Sequence, residues 1–485
     1  MEKLIPEYRE ESEIYLPEAH IDEKDLKSAG ISEDLIRKDR IGLPEISEVS
    51  LVRHFVNLSR NNFGVDNNFY PLGSCTMKYN PKINEQIAGN EKLLKAHPLL
   101  DEEFVQGILE ILFEFNKMLQ DISGMVLFSL QPVAGAHGEI TGNIIMKKFH
   151  QVNGNINKNK IIVPDSAHGT NPATVTIAGF EVVEIKSDEN GNIDIDELKK
   201  VVDDNTAGIM ITNPNTLGLF DTNILKIRDI IHKVGGLLYY DGANLNPLLG
   251  KVKISDMGFD IVHFNLHKTF STPHGGGGPG SGPVGVTEKL KEFLPVPIVS
   301  KNKEGKFFLD YNLKQSIGKV HSFYGNFGVI IKAYTYIKSI GLEGLQAVGE
   351  KSVLNANYLM KKLDGVLELP YKRKCMHEFV LSGEELNKFG VHTMDLAKRL
   401  IDFGYHPPTV YFPLIVKEAI MIEPTETETK ETLDKFADVF KKIVEEAEKE
   451  PDVLKNAPVN TAIGRLDETA AARNPVLTYD DYINE

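Results

Sequence analysis

Between residue 125 and about residue 300 the chain alternates short apolar runs with stretches of helical periodicity, and this alternation constrains the fold more than any other feature. Lys160 to Val163, Phe180 to Ile185, Gly208 to Thr212 and Leu237 to Tyr240 are strand-like, and helical segments separate them. Parallel neighbours need a long crossover, and the crossover helix covers the sheet, so the pattern predicts a mostly parallel sheet wrapped by helices. Ligands in such sheets sit at the carboxyl ends of the strands, where Thr212, Asp241 and Lys268 fall. Ahead of the sheet, Phe104, Ile108, Ile111, Leu112, Phe115, Met118 and Leu119 recur at helical spacing and form a core stripe.

Lys268 lies in Asn265-Leu266-His267-Lys268-Thr269-Phe270, after the strand-like Asp260 to Phe264 and before a glycine run from His274 to Pro283. A lysine in a partly desolvated pocket keeps its amine neutral part of the time, which bond formation with an aldehyde requires, and glycines let a backbone approach a bulky group. On this segment alone a surface lysine beside a flexible loop fits as well. Asp241 closes the run Leu237-Leu238-Tyr239-Tyr240, where it could face a pyridine nitrogen or simply make a turn. Gly135-Ala136-His137 opens a helical pattern and leaves backbone N–H groups clear for a phosphate. His168 follows a strand and could stack on a flat ring or stand in solvent. Taken together, the four segments suit pyridoxal phosphate.

Beyond these segments lie Pro71-Leu72-Gly73-Ser74-Cys75-Thr76-Met77-Lys78-Tyr79-Asn80-Pro81-Lys82, Thr212 to Gly218 and Phe323 to Gly328. With them, in order over most of its length, the chain resembles the pyridoxal-phosphate-dependent glycine decarboxylases, the P-proteins of the glycine cleavage system. Within that family it is most similar to the cofactor-bearing second subunit of the forms divided into two chains. The resemblance implies the aspartate-aminotransferase-like fold, fold type I: a large domain with a mostly parallel sheet and a smaller C-terminal α/β domain. It makes Lys268 the lysine bonded to the cofactor, Asp241 the acid at the pyridinium, His168 the stacked ring and Ala243 its opposite. Gly135, Ala136 and His137 fall on the phosphate turn, Thr212 and Asn215 near the phenolic oxygen, and His267 among the other cofactor contacts. His137 departs from the glutamine expected there, which backbone donation to phosphate tolerates.

The same resemblance implies the reaction and the partners. Glycine loses its carboxyl group as CO2, and the aminomethyl remainder passes to the lipoyl group of the H-protein. The chain has about half the length of the single-chain form, so a companion subunit 1 is expected, two copies of each making a heterotetramer. An aminotransferase or a cysteine desulfurase would share the lysine, the acid and the strand order, since fold does not decide reaction. No cysteine stands on an evident active-site loop, and His168 takes a place that another aromatic residue often fills in aminotransferases. A non-catalytic scaffold subunit is disfavoured because Lys268 and Asp241 are both present. Arg373 and His377 are candidates for the substrate carboxylate, against a reading as surface charge and cap.

A formal net charge of −15 argues against nucleic acid as main partner, because binding phosphates takes basic surface. No apolar run approaches the ~20 residues that span a bilayer, and the opening residues lack a secretory pattern, so the cytoplasm is expected. Two cysteines, Cys75 and Cys375, suit a reducing compartment. His263 and His267 have a zinc-helix spacing on a strand-then-loop segment, so no metal site is expected, and Gly280 to Gly285 precedes a strand, unlike a dinucleotide turn. The organisation expected is an arm over 1–95, a cofactor domain over 96–340, a small domain over 341–450 and an extended tail over 451–485. The small domain is expected to end on a helix boxed by Thr425 to Glu428 and stopped by Pro451.

Overall fold

The computed structural model describes residues 23–36, 44, 46–76, 78–274, 278 and 280–484. Met77, Gly275, Gly276, Gly277 and Pro279, all in segments read above, lie outside these, as does much of the opening arm. Gly64–Lys455 make one compact unit, and Met1–Phe63 with Asn456–Glu485 make another. In the second, helix Glu48–Arg60 is capped by Ser47, whose side chain accepts from the Ser50 N–H. The tail expected to be extended carries the short helices Glu468–Arg473 and Tyr479–Asn484. Asp467 supplies an N-cap to the first by accepting from the Ala470 N–H, a local signal the composition-based reading passed over.

The larger unit is built on seven strands: β1 (Leu127–Ser129), β2 (Lys160–Pro164), β3 (Glu181–Ile185), β4 (Thr206–Thr212), β5 (Leu237–Gly242), β6 (Ile261–Phe264) and β7 (Val284–Val286). Their order is β1-β7-β6-β5-β4-β2-β3, and only β7 runs against its neighbours. Helices α1 (Gln106–Ser123), α2 (Gly135–Val152), α3 (Thr170–Ile177), α4 (Ile195–Val201), α5 (Ile224–Lys233) and α6 (Leu266–Thr269) fill the connections. Every residue of β4, β5 and β6 is buried, as expected of central parallel strands covered on both faces. The stripe read ahead of the sheet lies on α1, where Ile108, Leu109, Leu112, Phe115 and Leu119 enter the main core. Phe104 does not belong to it, being 77% exposed on the preceding turn.

Close packing of α2 on the sheet depends on one missing side chain. A Cβ at Gly142 would stand 2.1 Å from Cε2 of Tyr239, a fully buried ring whose hydroxyl donates to the Gly138 carbonyl at 3.0 Å. Gly142→Ala is therefore expected to lower stability by about 1–3 kcal/mol, the usual cost of overpacking a core. Denaturant unfolding measures it, and an unchanged midpoint with an unchanged slope would contradict this packing.

A hairpin of β8 (Ile298–Lys301) and β9 (Phe307–Asp310) leads to α7 (Phe327–Lys362). That helix is two segments joined at Gly341, where φ is 65° and ψ is −173°. The second segment carries the chain into a smaller sheet of β10 (Phe379–Ser382), β11 (Thr409–Val410) and β12 (Ala419–Ile422), all antiparallel. Helices α8 (Thr393–Asp402) and α9 (Lys430–Lys449) enclose the apolar cluster beside this sheet. Leu433, Phe436, Phe440, Ile443 and Val444 face that cluster as their spacing requires. The cap of α9 differs from the expected box: Thr429 caps it by accepting from the Thr432 N–H. Pro451 does not merely stop α9 but starts a further short helix, Pro451–Lys455, since proline is accepted in a first turn.

The segment 71–74 belongs to this smaller sheet. Leu72 bridges Ile422, the Glu423 N–H donates to the Pro71 carbonyl at 3.1 Å, and Thr409 Oγ1 donates to the Gly73 carbonyl at 2.8 Å. Contact is so close at Gly73 that a Cβ there would lie 2.9 Å from the Met421 carbonyl oxygen. Among the described residues no helix is long and apolar enough to cross a membrane.

Candidate active site

Three strand ends and one helix start converge at the carboxyl edge of the large sheet. β4 delivers Thr212, β5 delivers Asp241 and Ala243 just beyond it, β6 leads through Asn265 to Lys268 on α6, and α2 opens at Gly135. They surround a cavity of about 160 Å³ whose lining includes Lys268, Asp241, Ala243, Thr212, His168, His267, Gly135 and Ala136. Ser74, Glu139, Thr170, Thr216, Asn244 and Asn265 complete the wall.

Asp241 is 2% exposed. Burial by itself would raise its carboxyl, but three neighbours and a charge outweigh that and hold it below the ordinary 3.8. His263 Nε2 stands 3.3 Å from Oδ1, Asn171 Nδ2 donates to Oδ2 at 2.9 Å, the Ala243 N–H donates to Oδ1 at 2.9 Å, and Lys268 adds positive charge. The acid is thus kept anionic in a water-poor place, which a cationic ring nitrogen needs as counter-ion.

His267 is the opposite case. Burial, then the charge of Lys268, pushes its ring down to about 3, and the Ser281 N–H donates to Nδ1 at 3.2 Å. The neutral ring therefore keeps its proton on Nε2 and serves as a donor. The first-turn N–H groups of α2, at Gly135, Ala136 and His137, have no helical partner and make an anion seat. A Cβ at Gly135 would come within 2.6 Å of Asn265 Oδ1, so the close approach of this turn to α6 demands glycine.

Two other expected residues stand differently. The His137 side chain is turned from the cavity, its Nδ1 accepting from the Val133 N–H at 3.2 Å. Asn215 spends its amide on the loop after β4, accepting from Leu217 and Leu219 N–H and donating to the Gly191 carbonyl at 2.8 Å. Neither side chain lines the cavity, whereas Thr212, with Oγ1 buried and unpartnered, does. His168 lies on the exposed side, ringed by Thr170, whose N–H donates to Nδ1 at 3.2 Å and whose hydroxyl donates to Glu139 at 2.7 Å. Arg373 is a staple, donating to Asn190 and Phe220 carbonyls and to Asn192 Oδ1, and His377 is fully buried behind the wall.

Residues missed from sequence fall into two kinds. Asn171, Asn265 and Glu139 sit inside segments already singled out, within four residues of a named site residue, and their role depends on which way a short side chain turns. His263, considered only as a zinc ligand, is a strand residue whose inward side follows from strand alternation. Ser74 comes from 194 residues before Lys268, a distance no local pattern bridges.

Behind Ser74 lies a buried group of Lys78, His377, Glu378 and Glu423. Burial, then the charge of Glu423, pushes Glu378 up to about 8, and burial chiefly pushes His377 down to about 4. The folded chain thus retains a proton on Glu378 that the unfolded chain releases near its ordinary 4.5. Its contribution to stability is full below pH 4.5 and is lost as pH rises through 8. Glu378→Gln is expected to flatten the fall in stability across that window, and an unaltered slope in pH-dependent unfolding would remove Glu378 as its source.

An amine facing an anionic acid, a neutral imidazole donor and an unused anion seat fit pyridoxal phosphate. Fold and site define a pyridoxal-phosphate enzyme of fold type I. Residues 141–377 match the class-V aminotransferase family model, and residues 348–461 match that of the glycine dehydrogenase C-terminal domain. The protein named "Probable glycine dehydrogenase (decarboxylating) subunit 2" of Lysinibacillus sphaericus is 58% identical over 446 residues, 92% of each chain. Its namesake in Caldanaerobacter subterraneus is 57% identical over 464 residues, 96% of this chain and 95% of that one. Among solved structures, glycine decarboxylase (P-protein) of the glycine cleavage system, in inhibitor-bound form, superposes with a TM-score of 0.70 at 19% identity, over 89% of this chain and 100% of that one. A cysteine desulfurase from Thermococcus onnurineus gives a TM-score of 0.60 at 15% identity, over 78% of this chain and 95% of the other, which shows the shared fold. The chain belongs to the glycine dehydrogenase (decarboxylating) subunit 2 family.

Proposed function

We propose that this chain is the cofactor-bearing half of a cytoplasmic glycine decarboxylase, which frees the carboxyl carbon of glycine as CO2 and hands the aminomethyl group to a lipoylated H-protein. A companion subunit 1, two copies of each chain, completes the enzyme in this reading. The observation that carries it is the single cavity at which Lys268, Asp241, the α2 seat and His168 meet, in a chain of this family.

Bound pyridoxal phosphate supplies an electron sink for the pair left behind when a carboxyl group departs. The chain's own residues make that sink usable. Lys268 holds the group and, by moving aside and returning, can carry a proton at Nζ. Asp241, kept anionic by His263, Asn171 and the Ala243 N–H, holds a ring proton in place. The N–H groups of Gly135 and Ala136 and the Nε2 proton of His267 are the donors that would hold the phosphate end, and holding it would orient the substrate. Neither cysteine lines the cavity, and the Cys375 thiol is pushed up to about 12 by burial, which disfavours the persulfide chemistry of a desulfurase at this site.

Incubation of this chain together with subunit 1, carboxyl-labelled glycine and lipoylated carrier tests the reading. Labelled CO2 appears and the carrier gains an aminomethyl group. Retention of all label in glycine, with turnover of a keto acid instead, would identify an aminotransferase.

A further inference from the structure

Glycine has two handles, an amine and a carboxylate, and only the first is accounted for by Lys268 and the cofactor. Lys268 is the only lysine or arginine among the described residues lining the cavity. The nearest candidates from sequence are engaged elsewhere: Arg373 ties three loop oxygens, and His377 stands behind the wall. An absent arginine makes physical sense. A carboxylate that leaves as neutral CO2 loses its charge in the transition state, so a bidentate guanidinium would stabilise the ground state more than the barrier top. A neutral donor that orients without gripping is better suited.

Two of the four hydroxyls around the cavity are already committed: Thr170 donates to Glu139 and Thr216 donates to the Ser166 carbonyl. Thr212 Oγ1 is unpartnered too, but it sits low, at the end of β4 beside Asp241 in register. Ser74 combines three features. Its hydroxyl has no partner among the described residues. Its φ is 60°, a left-handed conformation that costs a serine of order 1 kcal/mol and survives only where surroundings impose it. The imposing contact is visible: the Ser74 N–H donates to Glu378 Oε2 at 2.7 Å, and Glu378 is fully buried. Strain of this kind, paired with a free hydroxyl in the cavity that holds Lys268, marks a positioned group.

We propose that Ser74 is the specificity-determining residue for the substrate carboxylate, its hydroxyl donating to it, with Glu378 as the positioning residue that holds Ser74 in its left-handed turn. The assignment rests on the reading of the site as a glycine decarboxylase. A carboxyl behind Ser74 is compatible with a substrate anion in front of it as long as it keeps its proton.

The test is a titration of the cofactor-loaded holoenzyme with glycine and, separately, with methylamine, which has the amine and lacks the carboxylate, followed by the visible absorbance of the bound cofactor. Ser74→Ala keeps the backbone strain and removes the hydroxyl, and Ser74→Gly removes both. Each is expected to weaken glycine about 10- to 100-fold, the worth of a hydrogen bond to a charged group, and to leave methylamine within about twofold. Equal weakening of both amines, or of neither, overturns the proposal. Loss of the cofactor from both variants overturns it too, because Ser74 would then serve the cofactor. A wild-type protein whose spectrum ignores glycine sinks the decarboxylase reading itself, an outcome distinct from a normal wild-type response shared by the variants.

Discussion

Lys268→Ala leaves a folded protein whose cofactor washes out on dialysis and is not fixed to the chain by borohydride. Turnover falls by roughly 10³-fold or more, the scale on which loss of a covalent group in a cooperative site is felt. The fold should not suffer. Lys268 is one residue on a four-residue helix, only partly buried, and the sheet behind it is held by β5 and β6. Far-ultraviolet circular dichroism reports that integrity, and mass mapping after borohydride reports the attachment. Borohydride fixation at another lysine, or unreduced release of labelled CO2 by the variant, would dismiss Lys268 from its role.

Asp241→Asn is the second large effect, and it separates holding the cofactor from using it. The amide is isosteric, so the Asn171 and Ala243 contacts keep at least part of their geometry, and cofactor remains bound through Lys268 and the α2 seat. The negative charge disappears from a place where water cannot replace it. A preorganised charge of this sort is worth about 10²- to 10³-fold in turnover, and that loss is the expected result, with glycine affinity changed far less. Full turnover would show that the ring nitrogen needs no anion.

The two effects also show how much of the site could be read along the chain. Lys268 and Asp241 were legible because one follows closely on an apolar strand and the other closes one, and a parallel sheet brings successive strand ends together whatever else the chain does. Gly135 and Ala136 were legible for a similar reason, since small residues before a helical period mark a helix start. Asn215 follows the same strand-end logic and yet turns its amide into its own loop, because the backbone N–H groups of Leu217 and Leu219 are closer partners than the cavity. His137 likewise is consumed by Val133. The cap of α9 was misplaced by four residues for a related cause: Thr425 to Thr429 offers several hydroxyls, and Thr425 bonds Thr427 instead of a helix N–H. Short polar side chains choose among near-equal local partners, and periodicity does not rank them. Ser74 and Glu378, 304 residues apart, are a tertiary fact altogether.

The stitching of residues 71–74 to the small sheet has a mechanical corollary. One rim of the catalytic chamber is fastened to β12, the opposite rim to β5 and β6, and the spine between the two supports is broken at Gly341. The gap between Ser74 and Lys268 is therefore spanned by two different sheets, and neither sheet alone sets its width.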